Sequence, residues 1–81
     1  MTPDQQLAES AAKYGLKPED LTGKSRRSDV MAARRHFAHA LFNFTEDGYK
    51  VYSMSTIRET LNYKSTSAVS NLLWSGGRVV L

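Results

Sequence analysis

The chain contains no cysteine, so neither a disulfide framework nor a thiolate zinc site is available to it. It has no apolar run near the ~20 residues that span a bilayer. Its first ten residues, MTPDQQLAES, have neither a basic start nor an apolar stretch and do not read as a secretory signal. The expected compartment is the cytoplasm. Length is short as well: 81 residues make one domain, 1–81, with no linker long enough to divide it, no internal repeat and no low-complexity segment. A chain of this size buries only roughly 60–65% of its unfolded surface, which leaves little volume for an enclosed active site.

Catalytic and metal-binding patterns are also missing. There is no recognisable Ser/His/Asp arrangement. Thr22–Ser25 (TGKS) echoes the end of a phosphate-binding P-loop, but position 18 is proline where that motif needs glycine, and no strand precedes it. His36 and His39 lie three apart on one predicted helix, yet no third His and no Cys exists to complete a metal site. They read as surface or phosphate-edge histidines, and His36 beside basic residues would add some pH dependence to binding. No enzyme activity, cofactor or metal is expected.

What is present is positive charge in one place. The net charge is +3. Residues 1–20 carry −2, residues 21–36 carry +4, and residues 37–81 carry +1. The middle segment holds Lys24, Arg26, Arg27, Arg34 and Arg35 against Asp29 alone. Such a cluster can exchange counterions with a polyphosphate backbone, although a solvated charged face has the same composition.

Helical periodicity dominates the rest. Thr2 as cap, Pro3 at the first position and Gln5 three residues after the cap form a capping-box start, followed by Leu7, Ala8, Ala11, Ala12 and Tyr14, with Gly15 as a left-handed stop. Pro18 opens a single turn ending near Leu21, and Gly23–Arg27 (GKSRR) reads as a basic loop. Ser28 is the expected N-cap of the longest helix, with Asp29 in its first turn and Ala33, Phe37, Ala40, Leu41 and Phe44 on one apolar face. Arg34 and Arg35 lie off that stripe. Thr45–Lys50 is a turn centred on Asp47-Gly48, and no strand is expected with it.

The segment from Tyr52 to Trp74, YSMSTIRETLNYKSTSAVSNLLW, then reads as two short amphipathic helices about a tight turn, a helix-turn-helix over about 53–75. Ser53 or Ser55 caps the first, whose inward residues are Met54, Ile57 and Leu61. Asn62, Tyr63 and Lys64 form the turn. Ser65 or Thr66 caps the second, which buries Val69, Leu72 and Leu73, and Gly76-Gly77 ends it. The expected fold is therefore all-α, a small domain of about four helices with a basic loop and a C-terminal helix-turn-helix.

From about Leu7 to Leu73 the order of elements resembles the C-terminal DNA-binding domain of the bacterial replication initiator DnaA, a helix-turn-helix of the Trp-repressor-like kind. AAKYGLKPEDL resembles that family's first helix and following turn. KSRRSDVMAARRHFAHAL resembles its basic loop and long helix, and YSMSTIRETLNYKSTSAVSNLL its helix-turn-helix. The resemblance implies that Arg26 and Arg27 are loop contacts to DNA, that Lys64 stands for the motif arginine, Ser67 for the first motif threonine and Val69 for the core valine. The chain departs from the family pattern at Asn62-Tyr63 (two glycines there), Ser65-Thr66 (an Asp-His pair) and Ala68 (the second threonine). It also lacks the ATPase domain of an initiator. The resemblance thus points to a small regulatory or phage/mobile-element DNA-binding protein, nucleoid-associated in a bacterial or phage-infected cell.

Combined, these readings predict binding of double-stranded DNA and no membrane. Lys24, Arg26, Arg27, Arg34 and Arg35 would hold phosphates. Lys64, Ser65, Thr66, Ser67, Ser70 and Asn71 would meet the groove, since Ser, Thr and Asn can address base edges and a recognition helix reads with its N-terminal half. Ser65 would otherwise serve only as a cap. Tyr63 packs on a deoxyribose or covers the core between Leu61 and Val69. Trp74 with Val79, Val80 and Leu81 either closes the core or forms a homodimer or protein-partner contact. The rival function is accordingly a protein–protein interaction module acting around Trp74.

Overall fold

The computed structural model describes residues 2–74. The expected Gly76-Gly77 stop and the apolar tail Val79, Val80 and Leu81 lie outside the described residues. The fold is all-α apart from one very short hairpin, with the order α1 (Pro3–Lys13), α2 (Pro18–Thr22), α3 (Ser28–Phe42), β1 (Thr45–Glu46), β2 (Tyr49–Lys50), α4 (Met54–Thr60) and α5 (Thr66–Trp74). No described helix is long and apolar enough to cross a membrane.

Local chemistry sets most of the boundaries. The Thr2 hydroxyl accepts from the Gln5 N–H at 3.2 Å, satisfying a donor that the first turn of α1 leaves open. Gly15, at φ +71, reverses the chain after α1, and the Leu16 N–H closes on the Ala11 carbonyl at 2.8 Å. The Asp20 carboxylate accepts from the Lys17 N–H at 3.0 Å to start the single turn of α2. Ser53 Oγ accepts from Thr56 N–H at 3.3 Å ahead of α4, and Ser65 Oγ accepts from Ala68 N–H at 3.4 Å ahead of α5. Between those two helices Asn62 takes a left-handed conformation, φ +62, which an asparagine tolerates where most side chains do not.

Four expectations are corrected. In α1 the buried residues are Gln6, Leu7, Ser10 and Ala11, whereas Ala8, Ala12 and Tyr14 of the expected stripe are exposed. Ser28 is the first residue of α3 rather than its cap: the chain turns at Arg27, and the Asp29 carboxylate meets the open Val30 N–H at 2.8 Å. The buried stripe of α3 is Val30, Ala33, Arg34, Phe37, Ala38 and Leu41. Ala40 is only half-buried, and Phe44 lies past the helix end, tilted against the Tyr52 ring with centroids 5.8 Å apart. The Asp47-Gly48 turn also carries two short strands, pairing Thr45 with Lys50 and Glu46 with Tyr49. Asp47 at φ +54 and Gly48 at φ +83 match the sense of twist that a two-residue hairpin needs.

α3 crosses the middle of the molecule, and α1, α2, α4 and α5 all pack on it. The core joins Leu7 and Ala11 of α1, Leu21 of α2, Ala33, Phe37, Ala38 and Leu41 of α3, Ile57 of α4, Leu61, and Val69, Leu72 and Leu73 of α5. Tyr63 packs against this cluster from the α4–α5 turn, as the core reading anticipated. Phe37 is its largest fully buried side chain. Phe37→Ala removes a ring that a domain this small cannot replace, so urea unfolding should show a loss of about 3–5 kcal/mol with the midpoint moved close to zero denaturant.

Candidate nucleic-acid interface

The basic loop and the helix-turn-helix meet along one open groove of about 750 Å³. One wall is the loop, with Thr22, Gly23, Lys24 and Arg26. The facing wall is the α4–α5 turn and the outward side of α5, with Asn62, Tyr63, Lys64, Ala68 and Asn71. Met31, Arg34 and Leu72 complete the lining. No aspartate or glutamate is among the residues lining it. Lys24, Arg26, Lys64 and Asn71 are exposed.

The five expected phosphate contacts divide sharply. Lys24 and Arg26 line the groove and have no hydrogen-bond or ion-pair partner among the described residues. Arg27 is exposed but held: its guanidinium binds the Asp29 carboxylate through two hydrogen bonds, of 3.2 and 2.7 Å. That hydrogen bond pulls the Asp29 carboxyl below the usual carboxylate range and raises the Arg27 guanidinium further. The pair's contribution to stability is therefore present above the unfolded carboxylate pKa of about 3.9 and is lost as pH falls through the lower folded value.

Arg34, expected as a phosphate contact, is instead buried and bound to the loop backbone. It is only 3% exposed, and its Nε donates to the Leu21 carbonyl at 2.8 Å, Nη1 to the Ser25 carbonyl at 2.8 Å and Nη2 to the Gly23 carbonyl at 2.7 Å. Arg35 is half-buried and donates from Nε to the Leu72 carbonyl at 3.3 Å, joining α3 to α5. A sequence signal for Arg34 existed. Val30, Arg34, Phe37 and Leu41 follow one another at spacings of four, three and four, which puts this arginine on the buried face rather than beside it.

Of the expected groove-reading residues, Lys64 and Asn71 line the groove; Thr66 and Ser67 are exposed on α5 outside it, and Ser70 is half-buried. Ser65 is exposed and serves α5 as its cap. Met31 belongs to the lining without having been singled out by any motif, and Asn62 and Ala68, noted as departures from the family pattern, belong to it without having been expected as contacts. The turn is braced from behind by Arg58, whose Nη1 donates to the Tyr63 carbonyl at 3.4 Å and whose Nη2 pairs with Glu59 at 3.3 Å.

The histidines lie elsewhere. His36 is half-buried, with Nδ1 2.8 Å from the Ser10 hydroxyl and its ring edge-on to Tyr14 at 6.3 Å. With His39 and Arg35 it lines a second, shallower groove of about 510 Å³ that shares no lining residue with the first. No group of three or more potential metal ligands occurs among the described residues.

Because Asp29 restrains Arg27, Asp29→Asn should release a cation while its amide oxygen still caps the Val30 N–H. Retention on a heparin column at neutral pH should increase, and an unchanged or earlier elution would show that the ion pair does not limit Arg27. Compared with known proteins, the chain matches no protein-family model, no curated protein and no solved structure.

Proposed function

We propose that this chain binds double-stranded DNA, with α5 entering the major groove and the basic loop on the phosphate backbone. The observation that carries the reading is the shared groove: Lys24 and Arg26 on one wall and Lys64 and Asn71 on the other, with no acidic residue between them. A duplex lying along it meets uncommitted cations from two separate elements, which is what a phosphate-positioned helix needs. Lys64 precedes the N-terminus of α5, where open N–H groups favour an anion. Thr66, Ser67 and Asn71 present hydroxyl and amide groups on exposed positions of α5, and an asparagine can pair with adenine in bidentate fashion. Arg27 joins the phosphate contacts once it leaves Asp29.

The DnaA-like resemblance is consistent with this assignment. Asn62 holds a left-handed backbone at a position where that family has glycine, the residue that adopts this conformation most readily. The chain would then be a non-enzymatic DNA-binding module of a bacterial or phage-infected cell, cytoplasmic and nucleoid-associated, without a cofactor. A second reading, a protein-interaction module, is favoured by Trp74 alone. That ring is 47% exposed at the C-terminal end of α5 and rests edge-on against Phe42 at 5.5 Å.

Salt separates the two. Affinity for a duplex should fall steeply with salt, each neutralised phosphate contributing about −0.9 to the slope of log affinity against log salt. Lys24→Ala with Arg26→Ala should flatten that slope by about 1.8. Ser67→Ala should alter the sequences selected from a random duplex pool and leave the slope in place. Absent or salt-insensitive binding, with self-association abolished by Trp74→Ala, would overturn the DNA reading in favour of the interaction module.

A further inference from the structure

The basic loop has no apolar side chain of its own between Gly23 and Arg27, yet it forms a defined wall of the groove. Its position comes from Arg34. Three carbonyls at alternate residues, Leu21, Gly23 and Ser25, converge on one buried guanidinium, and the side chains of Lys24 and Arg26 line the groove. The same guanidinium lies 5.8 Å from the centre of the Tyr63 ring, in the turn that leads to Lys64 and α5. One side chain therefore touches both walls. A planar fork can address three carbonyls in separate directions, which a lysine ammonium on a single point cannot reproduce. An ordered loop also loses less conformational freedom when it meets a ligand than a loop that orders only on contact.

We infer that Arg34 is a positioning residue for duplex binding: it contacts no DNA, but sets the loop cations in register with α5. This rests on the duplex-binding reading above. It differs from a role in stability alone, because it makes the loop's contribution to phosphate binding depend on a residue whose guanidinium is committed to backbone carbonyls.

The test uses Arg34→Met, which keeps length and apolar bulk, and Arg34→Lys, which keeps the charge, each studied under conditions where circular dichroism shows full helix content. Without DNA, backbone amide order parameters from nuclear magnetic resonance should drop for residues 23–27 and stay unchanged in α1, α4 and α5. With a duplex, either variant should flatten the salt slope by about 1.8, the value for the two loop cations. Adding Lys24→Ala and Arg26→Ala to either variant should flatten it no further, since coupled groups do not contribute additively. A folded variant that keeps its loop order, or keeps the wild-type slope, overturns the role of Arg34. A wild-type protein that binds no duplex, while the loop still loosens on substitution, ends the duplex reading and leaves the loop-ordering role of Arg34 standing.

Discussion

The structure depends on the burial of one positive charge. Removing a guanidinium from water is costly, and it is tolerated only where its donors are met in good geometry. Arg34 meets that condition with three carbonyls at 2.7–2.8 Å, the Met31 sulfur at 3.4 Å and the face of Tyr63. The arrangement is reciprocal. The carbonyls of a glycine-containing polar loop would otherwise turn toward water, and the loop would have no fixed relation to the helices. Because Arg34 stands on the core stripe of α3, next to Ala33 and one turn from Phe37 and Val30, the loop is tied to the helix on which the other four pack.

This constraint changes the meaning of the charge cluster. Counted along the chain, residues 21–36 form a block of five cations. In space they have separate roles. Arg34 organises the loop, Arg35 links α3 to α5, and Arg27 is paired with Asp29. Outside the block, Arg58 braces the α4–α5 turn, and Lys50 lies over the Phe42 ring at 3.9 Å while donating to the Phe42 carbonyl. Lys24, Arg26 and Lys64 are left facing one groove. Charge density in a sequence is therefore a poor count of a polyanion site, because an arginine fork serves backbone carbonyls as well as phosphates.

The same distinction explains what was legible beforehand. Helix positions, the Thr2 cap, the Gly15 stop and the inward residues Ile57, Leu61, Val69, Leu72 and Leu73 all follow from local rules, in which hydrogen-bonding side chains stand beside the groups they satisfy, and those rules narrow the α4 cap to Ser53 or Ser55, of which the structure uses Ser53. The groove was partly legible, through the GKSRR loop and Lys64. Arg34 was misread because a polar residue on an apolar stripe breaks the binary pattern, and its carbonyl partners lie 9 to 13 residues away, from the end of α2 into the basic loop. His36 was misplaced for a similar reason: the Ser10 hydroxyl that it meets lies 26 residues earlier. The hairpin escaped because two residues per strand are too few to show alternation. Its turn was visible, since Asp-Gly carries the left-handed requirement in its own composition.

The groove also bounds what duplex binding by this chain would be like. α5 has nine residues, and Val69, Leu72 and Leu73 are committed to the core. Few positions therefore remain to address base edges, and those on the first turn are short hydroxyl side chains with limited reach. Three uncommitted cations supply a sequence-independent attraction that weakens quickly as salt rises, whereas each good base contact adds discrimination worth about 1–3 kcal/mol. A single copy would thus combine steep salt dependence with modest sequence preference. Sharper selectivity would require a second half-site, and one exposed surface for it is the C-terminal end of α5, where the ring of Trp74 leans on Phe42. On this view the two readings of the chain would cease to compete: the groove side of α5 would meet DNA, and the aromatic end, paired with another copy, would set the spacing between two such contacts.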